Sequence, residues 1–286
     1  QGYLLVANYR NCRIIGGEIG RTSLAPQTAY NGARIEGYKG MDQITNLIRF
    51  SSFSGITHIE GVKMGSPYTY EIMDIGTKWP GGSVQMVNCE MGPCRYYATD
   101  PNDAVSGDHD GGDSLQTFDG MESLIIANTD WFGNDFQNIF LKVNDNSYAN
   151  PNGGRIPNLT LKNVRVQLPA SPGASGQDTG TGAYRRALYI RNIDNVLIDD
   201  VVIQHLSNPA SFADTITYYD PATTGTVVAN TVTPVSGGTT TSGTVEVTWP
   251  GKPVTGKVVY TDANGTFAFK APGAGIAYDA TKWQNP

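Results

Sequence analysis

Charge is scarce in this chain. Asp, Glu, Lys and Arg make up 16% of 286 residues, and 20 basic against 26 acidic side chains leave a net charge of −6. No long basic run exists, which argues against nucleic acid as a partner, because phosphate recognition draws on clustered Lys and Arg. No stretch of about 18 apolar residues occurs, so no membrane span is expected. Histidine and cysteine number three each. Without a second Cys/His pair at ligand spacing, zinc is not expected. Cofactor motifs are missing as well. The chain opens at Gln1 without a Met or a signal-like stretch, which fits a mature form or the ordered part of a longer polypeptide. What is plentiful is Gly, at 34 residues, and Tyr, at 15. Low charge with much Gly, Thr, Asn and Tyr is the makeup of a rigid β-protein with many tight turns.

Six segments share one pattern: Cys12–Ile19, Thr57–Met64, Val84–Met91, Leu124–Trp131, Leu159–Val166 and Val196–Ile203. The fifth position of each is Gly16, Gly61, Asn88, Asn128, Asn163 or Asp200. Two residues before this anchor stands a large aliphatic side chain (Ile14, Ile59, Met86, Ile126, Leu161, Ile198). Three residues after it stands another large apolar one (Ile19, Met64, Met91, Trp131, Val166, Ile203). Neighbouring anchors are 27 to 45 residues apart, the spacing of a stacked repeat. Before the anchor the residues alternate, with Arg13, His58, Gln85 and Thr160 on the polar phase. Period two is strand chemistry. At the anchor the phase shifts, and Gly, Asn and Asp are the residues that tolerate left-handed backbone. Strand, bend, strand is the corner of a β-coil. Asn88, Asn128 and Asn163 are placed to pair amide to amide up such a stack. A second apolar run precedes most anchors, over residues 46–50, 70–75, 114–118, 138–143 and 186–190, and adds another strand per repeat. Cys12 and Cys89 fall on inward positions, where a small thiol packs well. Cys94 could bridge Cys89 around a Gly-Pro turn, but the odd count favours buried free thiols.

This pattern resembles the right-handed parallel β-helix of the pectin-lyase-like superfamily, which includes pectate lyases and phage tailspikes. The resemblance covers about residues 3–208 and implies an all-β fold, with a parallel β-helix over residues 1–207. It selects no chemistry, because that fold carries lyases, hydrolases, epimerases and inert adhesins. Residues 21–39 read as an insertion, and 96–112 and 169–182 as loops rich in Gly, Asp, Ser or Pro. From residue 208 the anchors stop and Thr, Val and Gly dominate. Residues 208–286 read as a small β-rich tail that caps the stack, clamps an oligomer or docks a partner, since a stack has open ends to cover. Thr244–Trp249 alternates, and Lys257–Thr261 and Thr266–Lys270 flank Asn264-Gly265, a hairpin signal.

Three features could carry chemistry. The densest polar cluster is Asp108-His109-Asp110-Gly111-Gly112-Asp113-Ser114-Leu115-Gln116. It resembles a His-x-Asp-Gly-(aliphatic)-Gln stretch of bacterial-surface β-helix proteins, although two glycines and Asp113 intervene before Ser114. Asp108, His109, Asp110 and Asp113 are the catalytic candidates, because close carboxyls push their pKa values apart and so divide acid from base. The same carboxylates could hold Ca²⁺, which takes about six to eight oxygens. An Asx/Gly turn is the plain alternative. The second feature is the outward face of the stacked strands. With Ile48, Ile72, Leu115 and Leu141 inward, Arg49, Glu71, Gln116 and Lys142 point out near one another, and Tyr189 and Arg191 join them. These six are the substrate-binding candidates, with a solvated sheet face as the alternative. Lyases of the resembled superfamily need a cation or Arg to neutralise a uronate carboxylate and an Arg or Lys as base, and Arg49, Lys142 and Arg191 are the basic residues at hand. Asn128-Thr129-Asp130 matches only the start of a polygalacturonase set, with Thr129 inward and Asp130 outward. The third feature is tyrosine, clustered at Tyr68/Tyr70, Tyr96/Tyr97 and Tyr218/Tyr219. Exposed aromatics stack on sugar rings, though a Tyr ladder on a β-surface has the same composition.

These readings favour recognition of a cell-surface polysaccharide by a tailspike-like protein, extracellular or virion-associated. Depolymerisation by a polysaccharide lyase or glycoside hydrolase is left open. No cofactor is expected beyond the Ca²⁺ option, and the tailspike resemblance implies a homotrimer. The alternative is a non-catalytic structural or adhesion protein of a virion or surface layer.

Overall fold

All six anchors adopt the left-handed backbone that their residue types tolerate. In the computed structural model Gly16 and Gly61 have φ of 63° and 64°, and Asn88, Asn128, Asn163 and Asp200 have 57°, 47°, 57° and 56°. The amides also stack. Asn128 Nδ2 donates to Asn88 Oδ1 at 3.0 Å, and Asn163 Nδ2 donates to Asn128 Oδ1. Each side chain thus satisfies its neighbour at a corner where backbone geometry alone would leave polar groups buried. A second set of left-handed turns, at Asn8, Ser52 and Asn192, follows strands of the other sheet and was not part of the sequence pattern.

The structure describes residues 4–20, 44–66, 69–77, 81–94, 113–132, 137–143, 154–168, 187–205, 216–219, 227–229, 242–246, 254–255 and 257–262. Every regular element among them is a β-strand, and none is a helix long and apolar enough to cross a membrane. An eight-stranded sheet runs in the order β1 (Leu4–Ala7), β4 (Ile44–Ser51), β7 (Thr69–Gly76), β10 (Leu115–Thr117), β13 (Ile139–Lys142), β15 (Leu188–Arg191), β17 (Ile216–Tyr219), β18 (Val227–Ala229). A thirteen-stranded sheet carries two rows that meet at the anchors. Before the anchors lie β2 (Cys12–Ile15), β5 (Ile56–Glu60), β8 (Ser83–Val87) and β11 (Ser123–Ala127). After them lie β3 (Glu18–Gly20), β6 (Lys63–Ser66), β9 (Glu90–Cys94) and β12 (Asp130–Phe132). The long strands β14 (Ile156–Leu168) and β16 (Ile193–His205) run through the anchor and belong to both rows, and β19 (Ser242–Glu246), β20 (Val254–Thr255) and β21 (Lys257–Asp262) complete the sheet.

Pairing is parallel and in register from repeat to repeat. The residues two before the anchor form one column, Ile14↔Ile59↔Met86↔Ile126↔Leu161↔Ile198. Those three after it form another, in which Met64, Met91, Trp131, Val166 and Ile203 are fully buried. Ile14 and Ile19 in the first repeat are only partly buried, and Leu5 and Ile15 are exposed; among the described residues β1, β2 and β3 have a paired strand on one side only. The three cysteines are free, and Cys89 and Cys94 are buried. Burial pushes the Cys89 thiol up to about 12.

Both sheets extend past residue 207, where the anchor pattern stops. β17 pairs parallel with β15 from Leu188↔Ile216, and β21 pairs parallel with β16 from Val201↔Val258 to His205↔Asp262. Only then do antiparallel strands appear, β18 on β17 and β19 on β21. Backbone pairing needs a free strand edge and β-forming residues, not an anchor, so Ile216–Tyr219 and Lys257–Asp262 add to the stack without one. Asn264-Gly265 and Thr266–Lys270 lie outside the described residues.

Truncating Ile126 or Leu161 to Ala should cost about 2–5 kcal/mol, the range for large-to-small changes at fully buried sites, read by denaturant unfolding. At the centre of the amide ladder, Asn128→Ala loses two hydrogen bonds and strains a left-handed residue. We expect Asn128→Gly to be less destabilising by about 1 kcal/mol, since glycine removes the strain alone.

Candidate functional site

The outward face of the eight-stranded sheet is shaped by a slip in the strand phase. In a regular strand consecutive residues point to opposite faces. Here Leu47 and Ile48, Ile72 and Met73, and Ala187 and Leu188 are consecutive pairs that all join the same buried core. Ser114 and Leu115, and Asn138 and Ile139, are likewise fully buried in pairs. The backbone shows the matching irregularity, with Ile72 N donating to Asp113 O and Met73 N to Ser114 O, at 3.1 and 2.8 Å. Ser114 N and Leu115 N donate in the same way to Gln137 O and Asn138 O, each at 2.9 Å. Two inward residues in a row put the residues on either side of them on the same face. Glu71, Asp113 and Gln137 therefore stand side by side on β7 and on the segments leading into β10 and β13. They share a face with the next register column, Arg49↔Asp74↔Gln116↔Phe140↔Tyr189. The Gln116 Nε2 to Glu71 Oε1 hydrogen bond, at 2.5 Å, joins the two columns.

The electrostatics of this face are set by burial. Glu71 and Asp113 are both only 6% exposed. Desolvation, and then the nearby carboxylates of Asp74 and Asp113, push Glu71 up to about 9 against the opposing pull of Arg49 and Gln116. Burial likewise holds Asp113 well above the carboxylate range, with Lys142 pulling the other way. Oδ1 of Asp113 and Oε1 of Gln137 are buried without a hydrogen-bonding partner. At the more open side Arg49 Nε meets Asp74 Oδ2 at 3.3 Å. The aromatic part is contiguous with the polar part. Phe140 tilts against Tyr189 at 4.9 Å between centroids, Phe118 meets Phe140 edge-on at 6.0 Å, and Lys142 Nζ lies 5.8 Å from the centre of the Phe140 ring. Lys142 pairs in register with Arg191.

Of the residues proposed from sequence, Arg49, Glu71, Gln116, Lys142, Tyr189, Arg191 and Asp113 come together on this one sheet. Ile48, Ile72, Leu115 and Leu141 are fully buried behind it. Asp108, His109 and Asp110 lie outside the described residues, as do Tyr68, Tyr96 and Tyr97. Asp130, expected outward, is only 2% exposed. Sequence reading missed Asp74, Gln137, Phe118 and Phe140. Gln137 stands two before Ile139 just as Asp113 stands two before Leu115, a match visible only once Leu115↔Ile139 is known. No group of three or more His, Cys, Asp or Glu side chains among the described residues is arranged to hold a metal. No protein-family model, curated protein or solved structure matches the chain.

The raised carboxyls fix a pH dependence. A group protonated in the folded chain up to about 9 but only to about 4.5 when unfolded makes stability fall as pH rises through that window. In EDTA, the melting temperature of the wild type should decline from pH 5 to pH 9. Glu71→Gln should flatten that slope, and an unchanged slope would show that Glu71 does not hold its proton.

Proposed function

We propose that the chain is a right-handed parallel β-helix that recognises a cell-surface polysaccharide, outside the cell or on a virion. The observation that carries this reading is the half-buried Tyr189 on the same sheet face as the exposed Arg49 and half-buried Lys142, with its register partners Gln116 and Phe140 themselves buried on that face. Sugar rings offer apolar C–H faces to aromatic planes and hydroxyls to amides and carboxyls, and this face supplies both within two strand spacings. Arg49, Lys142 and Arg191 on the same sheet suit a glycan that bears carboxylates. The parallel order of both sheets and the one-repeat register support the β-helix itself.

A second reading has its own support. Glu71 and Asp113 are buried, so neither is presented as an open acid or base, and a non-catalytic structural or adhesion protein of a virion or surface layer fits that better than a depolymerase. An array of purified capsular and lipopolysaccharide glycans, read for binding and for cleavage, separates these. Binding without cleavage is expected, weakened about tenfold or more by Tyr189→Ala, within the range for loss of a stacked aromatic anchor. Failure to bind any glycan would leave the structural reading. The homotrimer belongs to the same proposal, and light scattering on the intact chain should give three chain masses; a stable monomer removes it.

A further inference from the structure

We propose that Glu71, Asp113 and Gln137 hold a calcium ion between adjacent strands of the eight-stranded sheet. The inference does not rest on glycan binding. Its first support is placement. The Ile72-to-Asp113 and Ser114-to-Gln137 backbone hydrogen bonds set these three residues side by side on successive strands. All three are at least nine-tenths buried, with exposures of 6%, 6% and 5%.

The second support is independent of the acidic cluster. The amide oxygen of Gln137, a neutral group, is buried without a hydrogen-bonding partner, and so is Oδ1 of Asp113 beside it. A buried acceptor with no donor is costly, and in native proteins such groups are usually satisfied by a water or an ion. Two acceptors side by side, next to a second carboxyl, are satisfied either by a proton on Asp113, the state burial favours without metal, or by a cation. A cation satisfies all three at once.

The geometry then selects the ion. Ligands that converge from three successive strands make an irregular shell, which calcium accepts at about 2.3–2.6 Å, whereas magnesium demands near-ideal octahedral geometry at about 2.0–2.1 Å. The donors are all oxygen, two carboxylates and one amide, the hard set that calcium prefers and zinc does not. The rest of a shell of about six to eight oxygens is open to water.

The test uses the intact chain after EDTA treatment. Thermal unfolding is followed with added calcium, with added magnesium and with neither, and calcium titration calorimetry gives a Kd. Calcium should raise the melting temperature and magnesium should do so far less, because a ligand of the native state stabilises by mass action. Glu71→Gln, Asp113→Asn and Gln137→Leu should each weaken calcium about tenfold or more. In EDTA the Glu71→Gln and Asp113→Asn chains should melt at or above the wild-type temperature, since they remove a buried carboxyl without changing its shape. That reversal of rank between calcium and EDTA separates a lost ligand from a damaged fold. The proposal is overturned if calcium leaves the wild type unshifted, or if its effect survives in the Glu71→Gln/Asp113→Asn double variant. It is equally overturned if Asp108→Asn/Asp110→Asn abolishes the effect while Glu71→Gln does not, because the ion then sits on the preceding segment.

Discussion

The left-handed turn at the anchor is the constraint from which the rest of this structure follows. Each turn resets which residues face inward, so one column of aliphatic side chains before it and another after it can both reach the same core. Glycine meets that requirement by having no Cβ, at Gly16 and Gly61. Asparagine meets it by tolerating the conformation and by bonding its own kind one repeat away, at Asn88, Asn128 and Asn163. The ladder therefore couples register to corner geometry: if one repeat slipped by a residue, its amide would lose both partners and its apolar side chains would turn to solvent. Asp200 ends the ladder with a different solution, accepting from Arg165 Nη2 at 3.0 Å through its carboxylate.

A second break in strand phase builds the candidate site. The doubled inward residues at the start of β7, β10 and β13 bring two polar columns onto one face and draw Glu71, Asp113 and Gln137 out of water. Burial of this kind is tolerable only with compensation. Part is on hand in the Gln116 hydrogen bond to Glu71 and in the field of Lys142 at Asp113. The aromatic group of Phe118, Phe140 and Tyr189 lies at the other side of the same sheet, so a single surface grades from buried and acidic to aromatic and cationic.

The corner was legible in the sequence because it is written in residue type. All six anchors, both apolar columns and the amide pairing could be read from Gly, Asn and Asp at fixed offsets from aliphatic residues. The outward placement of Arg49, Gln116 and Lys142 followed from period two. What could not be read was whatever depends on register between strands. Phe140 looks like any core phenylalanine until its pairing with Gln116 and Tyr189 puts it on the outward face. Gln137 carries no signal of its own, since a lone Gln before an apolar run is ordinary. The turns at Asn8, Ser52 and Asn192 escaped because two Asn and one Ser in separate repeats make no run of like residues, and Ser is a poor marker of left-handed backbone. The strands that join both sheets after residue 207 carried no anchor to read, because backbone pairing does not depend on one.

The one-sided pairing of the first repeat bears on how such a chain folds. Among the described strands each parallel partner lies one repeat or more away along the chain, so the sheets form through contacts of intermediate sequence separation. Closing the first such loop costs entropy before any sheet exists to repay it. Every later strand docks onto an edge already formed. Folding in this architecture is thus a nucleation followed by growth along one axis, as in other stacked repeats. The growing end is always a row of unsatisfied N–H and C=O groups. Met86 and Ile126, fully buried on strands paired on both sides, stand where growth has covered every edge.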